Sequence, residues 1–360
     1  MAVIAVINIV VPNKAFSESE NRVLTAMPEF SWNALVSGSF TEGFEDFITD
    51  QFPARDMWVS IKTASELALL KKDSGGVYIA DDGYLIDMFS EVDMERYEKN
   101  LGYLLTFNEN VNRRFNIGVT TMLVPTASHI LADKLPNHTP EIDPNALIAM
   151  AKGKGIDVVD ASAALTEHKE EYIYYKTDHH WTSLGAYYAY VFLCGSLAKT
   201  PIPYEAFKQE VLTKGFYGTS YSRASLYSAK PDAITVFRAP YDFNVVYNLG
   251  ESESLGLYER KYLDVKDKYS VFLNANQPLS VITGGEKNGR HLLLIKDSYA
   301  NTFAQFIAGD YESVHMIDLR YYKMPLLEYM EGAGITDVLV LYNIKNFAGD
   351  KDLYALGNGK

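Results

Sequence analysis

The sequence has a single cysteine, an excess of acidic residues and no apolar run long enough to cross a bilayer. One cysteine, Cys194, excludes an internal disulfide and a cysteine-rich metal site. The formal net charge is −13 and no basic cluster is present, so nucleic acid is not expected as a partner. Because Cys194 shares one face of a predicted helix with Tyr187 and Val191, we expect a buried, unreactive thiol.

The longest apolar run at the start of the chain is AVIAVINIVV, residues 2–11, which is too short for a membrane span and lacks a basic flank. A polar, linker-like stretch follows it. We interpret residues 1–30 as the remnant of an N-terminal anchor and a linker, with a strand as the alternative for the run itself. This interpretation predicts an extracytoplasmic protein of the cell envelope.

Hydrophobic and aromatic residues are abundant. A hydrophobic content of 48% in 360 residues is enough for a sizeable core in one large domain or two ordinary ones. Aromatic residues make up 13% of the chain, among them 26 Tyr. Flat amphipathic side chains suit sugar-binding grooves as well as protein surfaces, so the composition favours a carbohydrate ligand.

Strand and helix patterns alternate over most of the chain. A hairpin is predicted around residues 81–83, a long helix over 92–115, a buried strand at 118–128, a helix over 145–152 and a second strand in IDVVDAS. Residues 201–286 interrupt the alternation as a β-rich insertion, and the α/β pattern resumes over 287–360. We predict an α/β fold with a doubly wound, mainly parallel sheet, divided between 31–200 and 287–360.

The stretch KTDHHWTSLGAYYAY, residues 176–190, holds the first half of a candidate catalytic site. Asp178 and His180 are two residues apart, so in an extended segment their side chains leave on the same side and the carboxylate can orient the imidazole. A helix is predicted to begin after Thr182 or Ser183. The alternatives are a metal site that includes His179, or an ordinary hydrogen-bonded helix start.

The second half of the candidate site lies where the strand at 291–295 meets a predicted helix. Asp297 and Ser298 occupy that turn, and a serine there is exposed above the sheet near the positive end of a helix. Ser298 is therefore the candidate nucleophile. The alternative is an ordinary helix N-cap, which either residue could supply.

A strand, Asp-Ser and a helix, together with a separate Asp-x-His, resemble the SGNH/GDSL hydrolases. In most of those enzymes the serine block comes first, whereas here His180 precedes Ser298, so the resemblance implies a circularly permuted SGNH-type fold. The reversed order, with Trp181 after the histidine, resembles the alginate O-acetyltransferases of the AlgX and AlgJ type. The letters DHHW match the bacterial DHHW protein family.

The resemblance implies further residues of an oxyanion or substrate site. The strand DVLVLYNIKN, residues 337–346, aligns with a Gly-x-Asn strand and places Asn346 as an oxyanion donor, with Asn343 as a rival. Arg320 would add positive charge to the oxyanion, with a structural ion pair as its alternative. Other residues assigned to this group are Tyr299, Trp181 and His179.

The function implied by the resemblance is O-acetyl transfer to an extracellular polysaccharide, or hydrolysis of its acetyl esters, by Ser298, His180 and Asp178. No metal or other cofactor is needed, and the implied partner is a membrane-bound O-acyltransferase that supplies the acyl group. Lys296 stands where those enzymes have Gly, and a second glycine block is absent. These departures favour the alternative of an inactive carbohydrate-binding scaffold. A metallohydrolase is a third hypothesis.

Overall fold

A computed structural model of the chain describes residues 12–17, 22–226 and 228–357. The strands are β1 Phe16–Ser17, β2 Arg22–Val23, β3 Asp73–Ser74, β4 Val77–Ile79, β5 Leu85–Asp87, β6 Val119–Val124, β7 Val158–Val159, β8 Lys208–Phe216, β9 Asp232–Arg238, β10 Asn244–Tyr247, β11 Ser252–Leu255, β12 Leu279–Thr283, β13 His291–Lys296, β14 Ser313–Ile317 and β15 Asp337–Asn343. The α-helices are α1 Trp32–Ser37, α2 Ser39–Asp50, α3 Arg55–Ala68, α4 Met94–Phe115, α5 Ala127–Ile130, α6 Pro144–Gly153, α7 Ser162–Glu167, α8 Ser183–Ser196, α9 Thr219–Ala224, α10 Tyr299–Ile307, α11 Leu326–Ala333, α12 Ile344–Gly349 and α13 Tyr354–Gly357.

The apolar run at residues 2–11, predicted as an anchor remnant, lies outside the described residues. Within the part of the chain that the structure describes, none of the helices is long and apolar enough to span a membrane.

One central sheet organises the molecule, with strand order β11-β10-β12-β14-β13-β15-β6-β7. The strands β14, β13, β15, β6 and β7 run parallel to one another, and β12, β10 and β11 continue the sheet in antiparallel fashion. The prediction of an α/β fold with a mainly parallel sheet is thus confirmed. The carboxyl ends of the central parallel strands lie at one edge, where an open α/β sheet carries its functional residues.

The central strands are apolar on both faces because helices cover both faces. In β13, Leu292 and Leu294 pack into one hydrophobic cluster, while Leu293 and Ile295 pack into the other. Helices α8 and α10 contribute to the first cluster, and α4 and α11 contribute to the second. This arrangement explains the continuous apolar run in β13, since a strand covered on both sides has no solvent-facing position.

Several local predictions are confirmed. The hairpin forms from β4 and β5 around Asp81–Gly83, and the long helix α4 covers Met94–Phe115. Helix α8 begins after Thr182, whose side chain accepts a hydrogen bond from the Gly185 N–H. These features depend on short-range periodicity and capping, which a sequence pattern records directly.

Residues 201–286 are rich in strands and stay close to the central sheet. Strands β8 and β9 form an antiparallel pair with irregular register. The other three, β10, β11 and β12, extend the central sheet beyond β14. The loop before β12 reaches the edge where the parallel strands end, because β12 runs beside β14 in the opposite direction.

The last strand is shorter than predicted. We expected it to reach Asn346, but β15 ends at Asn343 and α12 begins at Ile344. The Asn343 side chain accepts a hydrogen bond from the Lys345 N–H, 3.0 Å away, and so caps the new helix. Asn346 therefore lies on a helix, one turn beyond the end of the strand.

Candidate active site

The two halves of the predicted site meet at the carboxyl ends of the parallel strands. His180 Nε2 lies 2.7 Å from Ser298 Oγ. On the other side of the same ring, His180 Nδ1 lies 2.5 Å from Asp178 Oδ1. The structure thus brings together Asp178, His180 and Ser298 in one hydrogen-bonded chain. This order of carboxylate, imidazole and hydroxyl is the one in which an imidazole can take a proton from a serine.

The carboxylate of Asp178 is held on both of its oxygens. Oδ1 accepts the His180 backbone N–H at 3.0 Å in addition to the ring. Oδ2 accepts the backbone N–H and the hydroxyl of Thr219, at 2.8 and 3.1 Å. Burial opposes the charge, but the charges of His180 and His179 together with these hydrogen bonds hold the pKa of Asp178 below its ordinary value. Asp178 is therefore a fixed, ionised acceptor.

The ring of His180 is buried and fixed in orientation. It stacks on Tyr269, with ring centroids 3.8 Å apart and an interplanar angle of 8°. Burial, and then the charge of His179, lowers the pKa of His180 to about 4. Since ionised Asp178 can only accept, Nδ1 carries the hydrogen, and the lone pair of Nε2 faces Ser298. A neutral imidazole in this tautomer is a competent general base.

Ser298 precedes α10 without capping it. The Ser298 side chain makes no capping hydrogen bond, whereas Asp297 Oδ1 accepts the Tyr299 N–H at 2.9 Å. Because Asp297 accepts the helix N–H, the Ser298 hydroxyl is available to hydrogen-bond with His180. Ser298 thus occupies the N-cap position of α10, while the capping hydrogen bond comes from Asp297.

Asn346 lies at the site but is bonded to Asp297. Asn346 Nδ2 donates to Asp297 Oδ2 at 2.8 Å, and the Asn343 backbone N–H donates to the same oxygen at 2.9 Å. Burial raises the pKa of Asp297, and these donors counteract that rise. Both asparagines that we considered for the oxyanion therefore brace the turn that carries Ser298.

Arg320 lines the same cleft as Ser298 and forms a bidentate ion pair with Asp318, at 2.8 and 2.6 Å. Lys296, the residue that replaces the expected Gly, is buried at the end of β13 with its Nζ 3.4 Å from Asp318 Oδ2. Burial lowers the pKa of Lys296, while Asp318 counteracts this. The buried carboxylate of Asp318 thus pairs with two cations, Lys296 and Arg320, close to the candidate nucleophile.

The three remaining predicted residues have different positions. His179 is half-buried, lines the cleft and places its Nδ1 2.6 Å from Thr219 Oγ1. Tyr299 is buried and donates its hydroxyl to the His179 carbonyl oxygen. Trp181 is fully buried and donates Nε1–H to the Tyr299 carbonyl oxygen at 3.0 Å. Trp181 therefore lies behind the site and supports it from the core.

Three residues at the site escaped sequence reasoning. Thr219, Tyr269 and Asn276 all come from residues 201–286, where no motif pointed to chemistry. Gly218, which precedes Thr219, marks a place where the backbone approaches Asp178 closely, since a Cβ at position 218 would lie 2.6 Å from the Asp178 carboxyl carbon. Tyr269 and Asn276 carry no comparable signal in the sequence.

The cleft over Ser298 is polar and has a volume of about 670 Å³. Its walls carry carboxylates, amides and cations, including Asp267, Asn276, Asn301, Arg320 and Asp350. A cleft rich in hydrogen-bonding groups suits a hydroxylated ligand such as a sugar. His179 also lines a smaller cavity of about 300 Å³.

Asp178, His179 and His180 could together hold a metal ion, because one ligand atom from each lies within 4.8 Å of the others. Three protein ligands are enough for some catalytic zinc sites. Both ring nitrogens of His180 are, however, already engaged by Asp178 and Ser298. A metal at this cluster would have to displace one of those two contacts.

Comparison with known proteins identifies the family of the chain. A family model described as DHHW protein matches residues 75–317, which is more than half of the chain. The chain belongs to the DHHW family. A solved DHHW family protein from Eubacterium siraeum is 27% identical with a TM-score of 0.70, over 79% of this chain and 96% of that one. Among curated proteins, no match is found.

Two more distant structures share the fold. Bacillus cereus PatB1, solved with a sulfonyl adduct, is 17% identical with a TM-score of 0.64, over 79% of this chain and 99% of that one. The O-acetyltransferase domain of Pseudomonas putida AlgJ is 15% identical with a TM-score of 0.52, again over 79% and 99%. The predicted resemblance to the DHHW family and to the AlgJ type is confirmed.

Proposed function

We propose that this DHHW-family protein is an SGNH-like serine O-acetyltransferase or acetylesterase that acts on an extracellular polysaccharide. The observation that carries the proposal is the continuous hydrogen-bonded chain from Asp178 through His180 to Ser298. Further support comes from the shared fold of the AlgJ domain, which is described as an O-acetyltransferase.

In the first half of the reaction, Ser298 Oγ attacks the carbonyl carbon of an acetyl ester. The Ser298 proton moves to His180 Nε2, and the carbonyl oxygen becomes a tetrahedral oxyanion. The intermediate then collapses, the bond to the donor alcohol breaks, and the donor oxygen takes the proton from His180. Ser298 is left as an acetyl ester, and Asp178 stabilises the transient imidazolium charge.

In the second half, a hydroxyl group attacks the acetyl carbon of the acylated serine. His180 takes the proton of that hydroxyl, and it returns a proton to Ser298 Oγ when the acyl-serine bond breaks. If the hydroxyl belongs to a sugar the outcome is acetyl transfer, and if it belongs to water the outcome is hydrolysis. The polar cleft of about 670 Å³ supports a sugar acceptor.

Oxyanion stabilisation in this proposal begins with the Ser298 backbone N–H at the start of α10. Backbone donors at a helix N-terminus favour negative charge at that position. The guanidinium of Arg320, which lines the cleft, adds positive charge nearby. Asn346 acts through Asp297, whose carboxylate it contacts at 2.8 Å.

The SGNH-type, circularly permuted fold is part of the proposal. Its support is the pairing of the last strand, β15, with β6 from the first part of the chain, which joins the two ends of the α/β pattern. The proposed division is an N-terminal segment 1–30, SGNH-like parts at 31–200 and 287–360, and an insertion at 201–286. The aromatic side chains of the insertion near the site, such as Tyr269, support a role for it in the groove.

An extracytoplasmic location and a membrane-bound O-acyltransferase as acyl donor complete the proposal. Both extend it by resemblance to the alginate acetyltransferases, whose polysaccharide substrates lie outside the cytoplasm. Reconstitution of this protein with a membrane-bound O-acyltransferase tests whether the two act together. Acetyl groups should reach the polysaccharide only when this protein and a membrane-bound acyltransferase are both present.

The direct test is p-nitrophenyl acetate hydrolysis with labelling by a fluorophosphonate. Ser298→Ala should abolish both the turnover and the labelling. Ser313→Ala is the matched control, because Ser313 Oγ also contacts imidazoles, at 2.7 and 2.8 Å, but lies at the opposite end of β14 and β13. Unchanged turnover in Ser298→Ala would rule out a mechanism with Ser298 as the nucleophile.

Two alternatives give different outcomes in the same experiment. An inactive carbohydrate-binding scaffold would bind the polysaccharide but resist fluorophosphonate labelling in the unmodified protein. A metallohydrolase, which the Asp178, His179 and His180 cluster favours, would lose activity with a chelator and regain it with Zn²⁺. The serine enzyme should be labelled and should be indifferent to the chelator.

A further inference from the structure

A loop from the β-rich segment brings an asparagine to the candidate nucleophile. Asn276 lines the same cleft as Ser298. Its Oδ1 accepts a hydrogen bond from Asn301 Nδ2 at 3.1 Å, and Asn301 lies in the first turn of α10, with its backbone N–H 3.2 Å from the Ser298 carbonyl oxygen. Asn276 is therefore linked to Ser298 through Asn301 and shares its cleft.

The orientation of the Asn276 amide is set by a cation. Lys296 Nζ lies 3.2 Å from Asn276 Oδ1. An ammonium group can only donate, so the amide oxygen must face Lys296 and the amide nitrogen must face away from it. Among the described residues, both hydrogen bonds of the Asn276 side chain end on Oδ1, and neither uses Nδ2. The two amide N–H groups are thus available to a ligand in the cleft.

Lys296 does more than orient the amide. It is 3% exposed and its charge is held beside Asp318 in the protein interior. A cation on the oxygen of an amide withdraws electron density and strengthens the hydrogen bonds that its N–H groups donate. The residue that departs from the usual Gly thus makes Asn276 a better donor.

The loop that carries Asn276 is held in an unusual conformation. Leu273, Asn274 and Ala275 have φ angles of +54°, +57° and +68°, a left-handed conformation that residues other than glycine rarely adopt. Hydrogen bonds fix the loop, among them those from Tyr262 Oη to Asn274 Oδ1 at 3.1 Å and from the Ala275 N–H to the Ser270 carbonyl oxygen at 3.0 Å. Backbone strain of this kind persists where the surroundings impose it, and it is concentrated at functional sites.

We propose that Asn276 is a catalytic residue that donates its side-chain N–H to the oxyanion formed at Ser298, and that Lys296 is the positioning residue that orients it. The inference rests on the function proposed above. Asn346, the donor expected from the sequence, has one of its two amide N–H groups bonded to Asp297, whereas both amide N–H groups of Asn276 are available.

Asn276→Asp and Asn276→Ala together separate the catalytic role from a structural one, because Asp keeps the loop contacts but adds a negative charge, whereas Ala removes the N–H donor without adding charge. Aspartate has the same shape and keeps an acceptor toward Lys296 and Asn301, so the loop contacts survive, but it has no N–H to donate. We expect kcat for p-nitrophenyl acetate to fall by roughly 10²–10³-fold, the usual loss for one oxyanion donor, with KM and the melting temperature little changed. Asn274→Asp, the same substitution two residues away on the same loop, is the matched control and should keep full activity.

A transition-state analogue gives an independent readout. Phenylboronic acid forms a tetrahedral adduct with a serine hydroxyl, so its inhibition constant should weaken in Asn276→Asp in proportion to the loss of kcat/KM. Asn276→Ala should behave in the same way. Lys296→Met should lower kcat as well, and the double variant Asn276→Ala/Lys296→Met should be no slower than Asn276→Ala alone, because Lys296 acts through Asn276.

The outcomes separate this inference from the function on which it rests. If Ser298→Ala abolishes turnover but Asn276→Asp leaves it intact, the role of Asn276 is overturned and the serine mechanism stands. A lower turnover in Asn276→Asp with unchanged inhibition by phenylboronic acid would also overturn the role of Asn276. No turnover or labelling in the unmodified protein would overturn the proposed function, and the role of Asn276 would fall with it.

Discussion

Gly218 packs directly against the carboxyl group of Asp178. A Cβ at position 218 would lie 2.2 Å from Asp178 Cβ and 2.3 Å from Asp178 Oδ2, closer than any van der Waals contact. The backbone at Gly218 has φ −87°, so its requirement for glycine is one of space and not of backbone conformation.

Gly218→Ala should displace Asp178 and, through it, His180. Because misplacement of about 1 Å can cost roughly 10²-fold in rate, we expect a loss of that order in kcat for p-nitrophenyl acetate. Gly215→Ala is the control, since the nearest atom to a Cβ there is Thr213 Oγ1 at 3.8 Å. Full activity in Gly218→Ala would mean that the position of Asp178 is unimportant for catalysis.

The acid limb of the pH profile should lie well below the ordinary histidine range. Burial and the charge of His179 lower the pKa of His180 to about 4. The base must be neutral, so kcat/KM should fall as the pH drops through about 4 and should be flat above it. An unchanged near-UV circular dichroism spectrum at pH 4 excludes acid unfolding as the cause.

His179→Gln should move that limb to higher pH. His179 is the second cause that lowers the pKa of His180, so its removal raises this pKa and protonates the base earlier as the pH falls. His168→Gln is the control, because His168 stacks on Tyr188 away from the site. A limb that stays in place in His179→Gln would contradict the electrostatic role of His179.

Asp318→Asn should destabilise the fold far more than Lys296→Met. Asp318 is fully buried between Lys296 and Arg320, and its neutralisation leaves the buried lysine without an anion. Removal of one partner of a buried pair costs about 3–5 kcal/mol when the other charge is left without a counter-ion. Lys296→Met leaves Asp318 paired with Arg320, so its cost should be smaller. The shift of the urea unfolding midpoint measures the difference, and equal shifts would show that Asp318 does not neutralise Lys296.

Cys194 should be unreactive in the native protein. It is buried, and burial followed by the charge of Asp310 raises its pKa to about 12, so almost no thiolate forms at pH 8. Ellman's reagent should detect no thiol in the folded chain and one equivalent after denaturation in guanidinium, since the sequence has one cysteine. Rapid stoichiometric reaction of the native protein would place Cys194 at an accessible position.

Sequence patterns predicted the parts of the site that are encoded locally. The two-residue spacing of Asp178 and His180 and the position of Ser298 between a strand and a helix were sufficient to nominate these three residues. The helix start at Thr182 and the alternation of strands and helices followed from capping and periodicity. The strand at 337–346 was predicted too long, because nothing in its apolar pattern showed that Asn343 would cap a helix.

The amino-acid sequence alone was enough to predict the family and the α/β class and to nominate Ser298 and His180 as candidate nucleophile and base, since each of these predictions depends on residues that are neighbours along the chain. Which side chains distant along the chain join the candidate site became clear from the folded arrangement. Thr219, Tyr269 and Asn276 reach it because β8, β9 and β12 pack where they do. Asn346 lines the cleft and donates to Asp297. Contacts of this kind depend on strand order and packing, which local spacing and propensity do not encode.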